Sequence, residues 1–216
     1  MLDLYAGAWQ GQPVPPDDAV ISADEKTSIQ ARQRSHPSTP PRHGQAMRVE
    51  HEYERGGALA YLAAWDVRRG GVIGRCAAKN GKAAFGRLVD QVMSQEPYRS
   101  ARRVFWVVDQ GSSHRGEKAA RELQARSPTL TLVHLPTHAS WLNQIEIYFS
   151  LVQCKVLTPN DFPDLAAVEQ RLLAFETLYN DTARPFDWRF TRAQMEDRLA
   201  QLSEALLSEA VLPQAA

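Results

Sequence analysis

Apolar and polar positions along the chain follow two periods, and each change of period marks an element. Val20-Ile21-Ser22-Ala23 is a largely apolar run that reaches Asp24, so residues 20–25 read as a buried strand. Residues 49–55 alternate with a period near two, which predicts a half-exposed strand, and Gly56-Gly57 is expected to turn the chain. Ala58–Val67 and Gly71–Ala77 then read as a hairpin around Arg68-Arg69-Gly70. Phe85, Leu88, Val89, Val92 and Met93 repeat at helical spacing over residues 82–95. Residues 103–108 are continuously apolar after Arg103, the signature of a central strand buried on both faces. Residues 116–126 look helical and Leu130–Leu135 look like another strand. From Leu142 to about Val156 a helix is predicted with Ile145, Phe149 and Val152 on one side, and residues 164–180 and 191–209 read as two further amphipathic helices.

Early meandering strands followed by alternating helix and strand describe an α/β layer with a mixed sheet flanked by helices. Asp24 then lies on the first strand and Asp109 at the carboxyl end of the strand after the first helix, and these strands are natural neighbours at the sheet centre. Ligands of open α/β sheets bind beyond that end of the strands. Residues 1–19 read as a lead-in segment or remnant linker, 20–200 as the principal domain, and 201–216 as a helix end and tail.

Composition narrows the class. The 216 residues suffice for one sizeable core, and 44% hydrophobic with 23% charged residues is ordinary for a globular protein. Formal net charge is zero, so no global basic excess advertises nucleic acid. Cys76 and Cys154 are far apart, which suggests reduced thiols in the cytoplasm. No apolar stretch approaches the roughly 20 residues that span a bilayer, and the first residues lack a signal pattern.

The candidate chemistry rests on three acids. Asp24 and Asp109 each end an apolar run, and Glu146 opens a helical pattern in Trp141-Leu142-Asn143-Gln144-Ile145-Glu146. A carboxylate at the tip of a buried strand is costly unless something charged meets it. Three clustered anions repel unless divalent metal neutralises them, which points to metal-assisted phosphoryl transfer.

These acids sit in Ser22-Ala23-Asp24-Glu25-Lys26-Thr27, in Val107-Val108-Asp109-Gln110-Gly111-Ser112-Ser113-His114, and in a Pro-x-x-x-x-Trp-Leu-Asn-x-x-Glu segment from Pro136 to Glu146. Phe149 and Lys155 follow, and Glu146 stands 37 positions after Asp109. With these segments the chain resembles the DDE transposases of the mariner-like superfamily, in their bacterial insertion-sequence branch, over residues 19 to about 199. The resemblance implies an RNase H-like fold and DNA cleavage with strand transfer, using two Mg²⁺ ions for which Mn²⁺ substitutes. It implies that Asp24, Asp109 and Glu146 are catalytic and metal-binding, with Asp24 bridging the ions and Glu146 completing the shell of the second ion. Its implied partners are DNA, as transposon ends and target, and a second copy of the chain; no membrane is involved, and the setting is the bacterial cytoplasm and nucleoid. Relatives carry an N-terminal helix-turn-helix region, so end recognition here is expected from a separate helix-turn-helix polypeptide. The residue after the second aspartate, commonly Asn in the group, is Gln110. A different RNase H-like nuclease, or a truncated or decayed DNA-binding remnant, are the alternatives.

Residues 27–49 contain no acid, and Pro37, Pro40 and Pro41 are expected to break any regular element there. With Lys26 at its edge, this segment offers Arg32, Arg34, Arg42 and Arg48 to the DNA backbone. Arg99, Arg102 and Arg103 are expected to extend that surface. Glu25 and Lys26 are read as pointing away from Asp24 in a structural ion pair. His114 is a supporting candidate five residues beyond Asp109, and Asn143 is expected to cap the helix that carries Glu146. Trp141 is expected to pack under that helix, and the segment around Arg184, Phe186 and Trp188 to pack. Asp109, Ser112 and His114 are too local for a hydrolase triad, and His134 with His138 are too few for zinc.

Overall fold

In the computed structural model, residues 1–48, 50–111, 117–137, 139–198 and 200–201 are described. The chain divides into two compact units, Asp17–Phe186 and the terminal segments Met1–Pro16 with Asp187–Ala216. The larger unit holds β1 (Asp18–Arg34), β2 (Tyr53–Asp66), β3 (Val72–Ala77), α1 (Lys82–Met93), β4 (Arg103–Val108), α2 (Glu117–Arg126), β5 (Leu130–His134), α3 (Ile145–Lys155) and α4 (Leu165–Asn180). Its sheet order is β3-β2-β1-β4-β5. The β1/β2 and β2/β3 pairs are antiparallel, whereas β1/β4 and β4/β5 are parallel. The sheet is therefore mixed, and the strands of Asp24 and Asp109 are hydrogen-bonded neighbours as the element order implied.

Strand alternation divides the core between two faces. Ala60, Leu62 and Ala64 of β2 pack with Ile21, Trp106 and the apolar stripe of α1. Leu59, Tyr61, Ala63 and Trp65 face the other way, onto Ile145, Tyr148, Phe149 and Val152 of α3 and Val168 and Leu172 of α4. Because Ala19, Ile21 and Ala23 belong to the first face, Ser22 and Asp24 are left on the α3 side.

Two expectations fail in the β1/β2 ribbon. β1 does not end near residue 25; it continues to Arg34, ahead of the prolines. Gly56-Gly57 does not turn the chain but lies inside β2. Three steps on β1, Lys26 to Ile29, oppose two on β2; three steps on β2, Arg55 to Ala58, then oppose two on β1. The ribbon thus carries two compensating bulges, and Gly57 at φ +96° supplies the conformation that the second requires. The hairpin around Arg68-Arg69-Gly70 does form. Buried Asp66 closes it, accepting from the Arg68 and Arg69 N–H groups, both at 2.9 Å, and from Tyr98 Oη at 3.0 Å.

α4 is seated by polar contacts that periodicity does not reveal. The Tyr61 hydroxyl donates to Glu176 at 2.8 Å and lies 3.1 Å from Tyr148 Oη. The Asn180 amide both donates to and accepts from the Val72 backbone at 2.8 Å, covering the free edge of β3. Phe186 stacks on Trp65 at 4.2 Å, so this part of the chain does pack. Tyr61→Phe is expected to remove about 1–3 kcal/mol of stability, because half-buried Glu176 loses a donor. A urea melt checks it; an unchanged midpoint means that the hydroxyl contributes nothing.

In the other unit Leu2–Tyr5 is a single helical turn, and Ala8–Trp9 pairs with Gln12–Pro13. Tyr5 meets Trp188 edge-on at 5.6 Å, Asp3 pairs with Arg192 at 2.8 Å, and residues 192–198 are helical.

Candidate active site

Asp24 is 6% exposed, on the α3 side of β1. Its Oδ1 accepts from the Glu25 N–H at 2.8 Å and its Oδ2 from Asn143 Nδ2 at 3.1 Å. Burial, opposed by the Glu25 N–H bond and reinforced by the charges of Asp109, Glu25 and Glu146, pushes its carboxyl up to about 7. Asp109 follows the last residue of β4, half-buried. Its Oδ1 accepts from the Gly111 N–H at 2.7 Å, and a Cβ on Gly111 would sit 2.8 Å from that same oxygen. Only glycine lets the backbone approach the carboxylate so closely. Glu146 lies exposed in the first turn of α3, where a helix favours negative charge. Burial raises its carboxyl, Lys26 opposes this, and Asp109 adds to it.

The three acids therefore act on one another: Asp24 feels both partners and Glu146 feels Asp109. The parallel β1/β4 pairing brings two of them to one end of the sheet, and α3 brings the third. The α3 junction depends on Ser22. Its hydroxyl donates to Asn143 Oδ1 and accepts from the Ile145 N–H at 2.9 Å, while Asn143 Nδ2 also donates to the Ala23 carbonyl at 3.1 Å. Asn143 does not cap α3 with its side chain, contrary to expectation. Its amide is drawn instead to buried Ser22, Ala23 and Asp24, accepting from the Ser22 hydroxyl and donating to the Ala23 carbonyl and Asp24 Oδ2. Ser22 supplies the cap from another strand. Sequence reasoning missed it; the one signal was a hydroxyl inside an apolar run. Ser22→Ala is expected to cost about 1–3 kcal/mol, since it strips partners from the Ile145 N–H and from Asn143. A thermal melt tests this, and a fall in Tm below about 2 °C would contradict it.

Several other assignments change. Lys26 does not point away from Asp24: positions two apart share a strand face, and its charge acts on Glu146. Trp141 is 53% exposed rather than packed under α3, because it precedes the helix on a 3₁₀ turn. Arg102 pairs with Asp17 and Asp18, Arg103 lies over the Phe105 ring, and Arg99 pairs with Glu96. Arg102 and Arg103 stand at the start of β4, the end opposite Asp109, and do not extend a surface at the acids. Arg34 donates to the Glu50 carbonyl. Arg42 and Arg48 are exposed on an arm bridged at Thr39–Arg48 and Arg42–Gln45. Only Lys26 and Arg32 of the basic candidates line one cleft. Gln110 spans to the Leu135 carbonyl at 3.1 Å, linking the ends of β4 and β5. His134 Nδ1 lies 3.4 Å from the Asp109 carbonyl. His114 and His138 lie outside the described residues.

Among the described residues no three His, Cys, Asp or Glu side chains are already arranged to hold a metal ion. The trio is near enough to repel, and drawing like charges together needs a cation between them. The donor set itself fits a hard divalent ion: every oxygen is a carboxylate's, and the innermost acid is disfavoured as a bare anion.

A comparison with curated proteins finds no match. Among solved structures, the Mos1 mariner paired-end complex with Mn is similar at TM-score 0.54 and 14% identity, over 75% of this chain and 49% of that one. The Mos1 paired-end complex with Mg matches at 0.54 and 14%, over 76% and 49%. The Mos1 paired-end complex with the left transposon end matches at 0.53 and 16%, over 73% and 47%. The chain thus spans about half the length of these structures and shares their RNase H-like fold, as expected. The sequence pattern of the family described as DDE superfamily endonuclease matches residues 19–169, which contain all three acids. The chain belongs to the DDE superfamily endonucleases.

Proposed function

We propose that this chain is the catalytic domain of a bacterial insertion-sequence transposase, cutting DNA strands and joining them to a target. The observation that carries the reading is a buried aspartate, Asp24, inside β1 and acted on by the charges of two further carboxylates, one just past the end of β4 and one on the first turn of α3. Family membership and a fold shared with Mos1 complexes support it.

Asp24 and Asp109 would hold divalent metal, two Mg²⁺ or Mn²⁺, with Glu146 completing the shell of the second ion. Bound there, the metals would activate water or a 3′-hydroxyl and stabilise the leaving oxygen. The chain's own part is positional. Asn143 fixes one Asp24 oxygen, and the Gly111 N–H fixes one Asp109 oxygen. Ser22 anchors the helix that presents Glu146. No protein nucleophile is required: water attacks phosphorus and the P–O3′ bond breaks, leaving a 5′-phosphate and a 3′-hydroxyl; that 3′-hydroxyl then attacks a target phosphodiester, whose own P–O3′ bond breaks and whose 3′-oxygen leaves as a hydroxyl. Lys26, Arg32, Arg34, Arg42 and Arg48 would engage the DNA backbone, which sets position rather than sequence. The working form is a homodimer on nucleoid DNA in the cytoplasm.

The test is Mg²⁺-dependent nicking and strand joining on DNA that carries the element's terminal repeats. Nicked and joined products support the reading. Nicking without joining would favour a different RNase H-like nuclease, and no metal-dependent product would overturn both.

A further inference from the structure

Beyond Lys26 the α3-facing side of β1 opens into a polar cavity of about 370 Å³. Lys26, Thr27, Ser28 and Arg32 form one wall, and Gln153 and Asn160 are on the other. Two cations and no carboxylate line it among the described residues. Lys26 belongs both to this cleft and to the acid cluster, where it acts on Glu146. The cleft is therefore continuous with the site of the proposed chemistry.

Its walls are built rather than incidental. The first bulge of β1 falls at Thr27–Ser28, and Ser28 takes φ +57°, a left-handed conformation rare for a residue with a side chain. Bulges redirect side chains and often flank active sites. β4 pairs with β1 only as far as Ser22, so the edge beyond is closed by other means. Asn160 Nδ2 donates to the Gln30 carbonyl at 2.8 Å and Asn160 Oδ1 accepts from the Arg32 N–H at 3.2 Å. Gln153 is tied to Thr158 at 3.2 Å. Arg32 is itself held in place: its Nε donates to Gln30 at 3.1 Å and its guanidinium lies 4.7 Å from the Tyr53 ring centre. Such a guanidinium loses little freedom on meeting an anion.

We propose that this cleft is a subsite for the phosphodiester backbone of the DNA strand adjoining the cleaved bond, an assignment that rests on the DNA-cutting reading above. Lys26 and Arg32 supply charge, and Thr27, Ser28, Gln153 and Asn160 supply neutral polar groups. Lys26 lies about 7 Å along the strand from Asp24, and Arg32 about 20 Å further. At about 3.4 Å per base step, this matches a track of several nucleotides leading away from the carboxylates. The volume is at the low end for ligand pockets, about 300–1,000 Å³, which suits one strand's backbone rather than a duplex. The apolar residues that line it, Ile29 and Leu157, are buried, so the accessible lining is mainly polar and disfavours a peptide.

The experiment measures DNA affinity with duplexes that carry one neutral methylphosphonate, moved base by base along each strand from the cleaved bond. In the wild type, one or two positions on one side of the bond are expected to weaken binding about tenfold, the size of a lost charge-assisted contact. Arg32→Ala should bind more weakly overall and show no further loss at those positions. Gln153→Glu, an exposed helical change, should weaken binding about tenfold, and Gln153→Lys should strengthen it. The strand that holds the sensitive positions identifies which backbone occupies the cleft. The subsite is overturned if no position is sensitive, if Arg32→Ala loses as much as wild type at each, or if Gln153→Glu binds like wild type. Those results beside an Asp109-dependent cleavage would leave the transposase reading standing; a wild type that neither binds nor cuts DNA would overturn both.

Discussion

Asp109→Ala is expected to abolish Mg²⁺-dependent cleavage, by about 10³-fold or more, while DNA affinity stays within about twofold. Divalent metal contributes several kcal/mol of charge stabilisation in such a site, and each 1.36 kcal/mol is about a factor of ten. Binding survives because basic side chains hold the phosphates without it. Asp24→Asn should give the same split and keep the fold, since an asparagine can still accept from Asn143 Nδ2. Asp90→Asn provides the control: it loosens an exposed pair with Arg126 at 2.8 Å and should leave cleavage untouched. Nicking assays and fluorescence anisotropy read the two quantities separately. Equal cleavage by wild type and Asp109→Ala would remove the site assignment altogether.

The second large effect concerns stability. Asp24 rises from its ordinary 3.8 to about 7 on folding, chiefly through burial. A carboxyl raised in this way favours the folded state at low pH, and that advantage disappears as pH climbs through the folded value. In EDTA the protein should therefore lose stability between about pH 4 and pH 7, by up to about 4 kcal/mol from this residue, and flatten above. Glu146 shifts in the same direction and adds to the slope. Asp24→Asn removes the Asp24 part, so the variant should melt about 10 °C higher than wild type at pH 7.5. Mg²⁺ should raise the melting temperature of the wild type and have little effect on the variant. A wild-type stability that rises from pH 4 to 7, or a variant that melts lower at neutral pH, would refute the buried-charge account. The expectation also has a functional sense: a site built to gather anions is destabilising until its ligand arrives.

Much of the architecture was legible because local chemistry specified it. Arg103–Val108 forms a strand buried on both faces, as its unbroken apolar run required. α1 and α4 lie close to where their helical spacing put them, and Asp164 caps α4 by accepting from the Ala167 N–H at 2.8 Å. The bulged ribbon was not legible. Gly56-Gly57 signals a turn just as well as a bulge, and only the opposing strand's register distinguishes them. Lys26 shares a strand face with Asp24, as the period of two requires. The polar contacts under α3 and α4 were beyond reach for a different reason. Ser22 and Asn143 are 121 positions apart, and Tyr61 and Glu176 are 115 apart. No local pattern records which distant donor will meet a buried acceptor.

By itself the chain determined where most of its strands and helices form, because hydrophobic period is a local property, and it set one aspartate inside a buried strand, one just past the end of another and a glutamate on the first turn of a helix. Only the tertiary structure decided that these three come near enough to feel one another's charge. That required β1 and β4 to pair in parallel with Ser22 beside Val107, and Asn143 to reach Ser22 and Asp24. Both are long-range contacts, fixed by the burial of a sheet between two helical layers rather than by any neighbour in sequence.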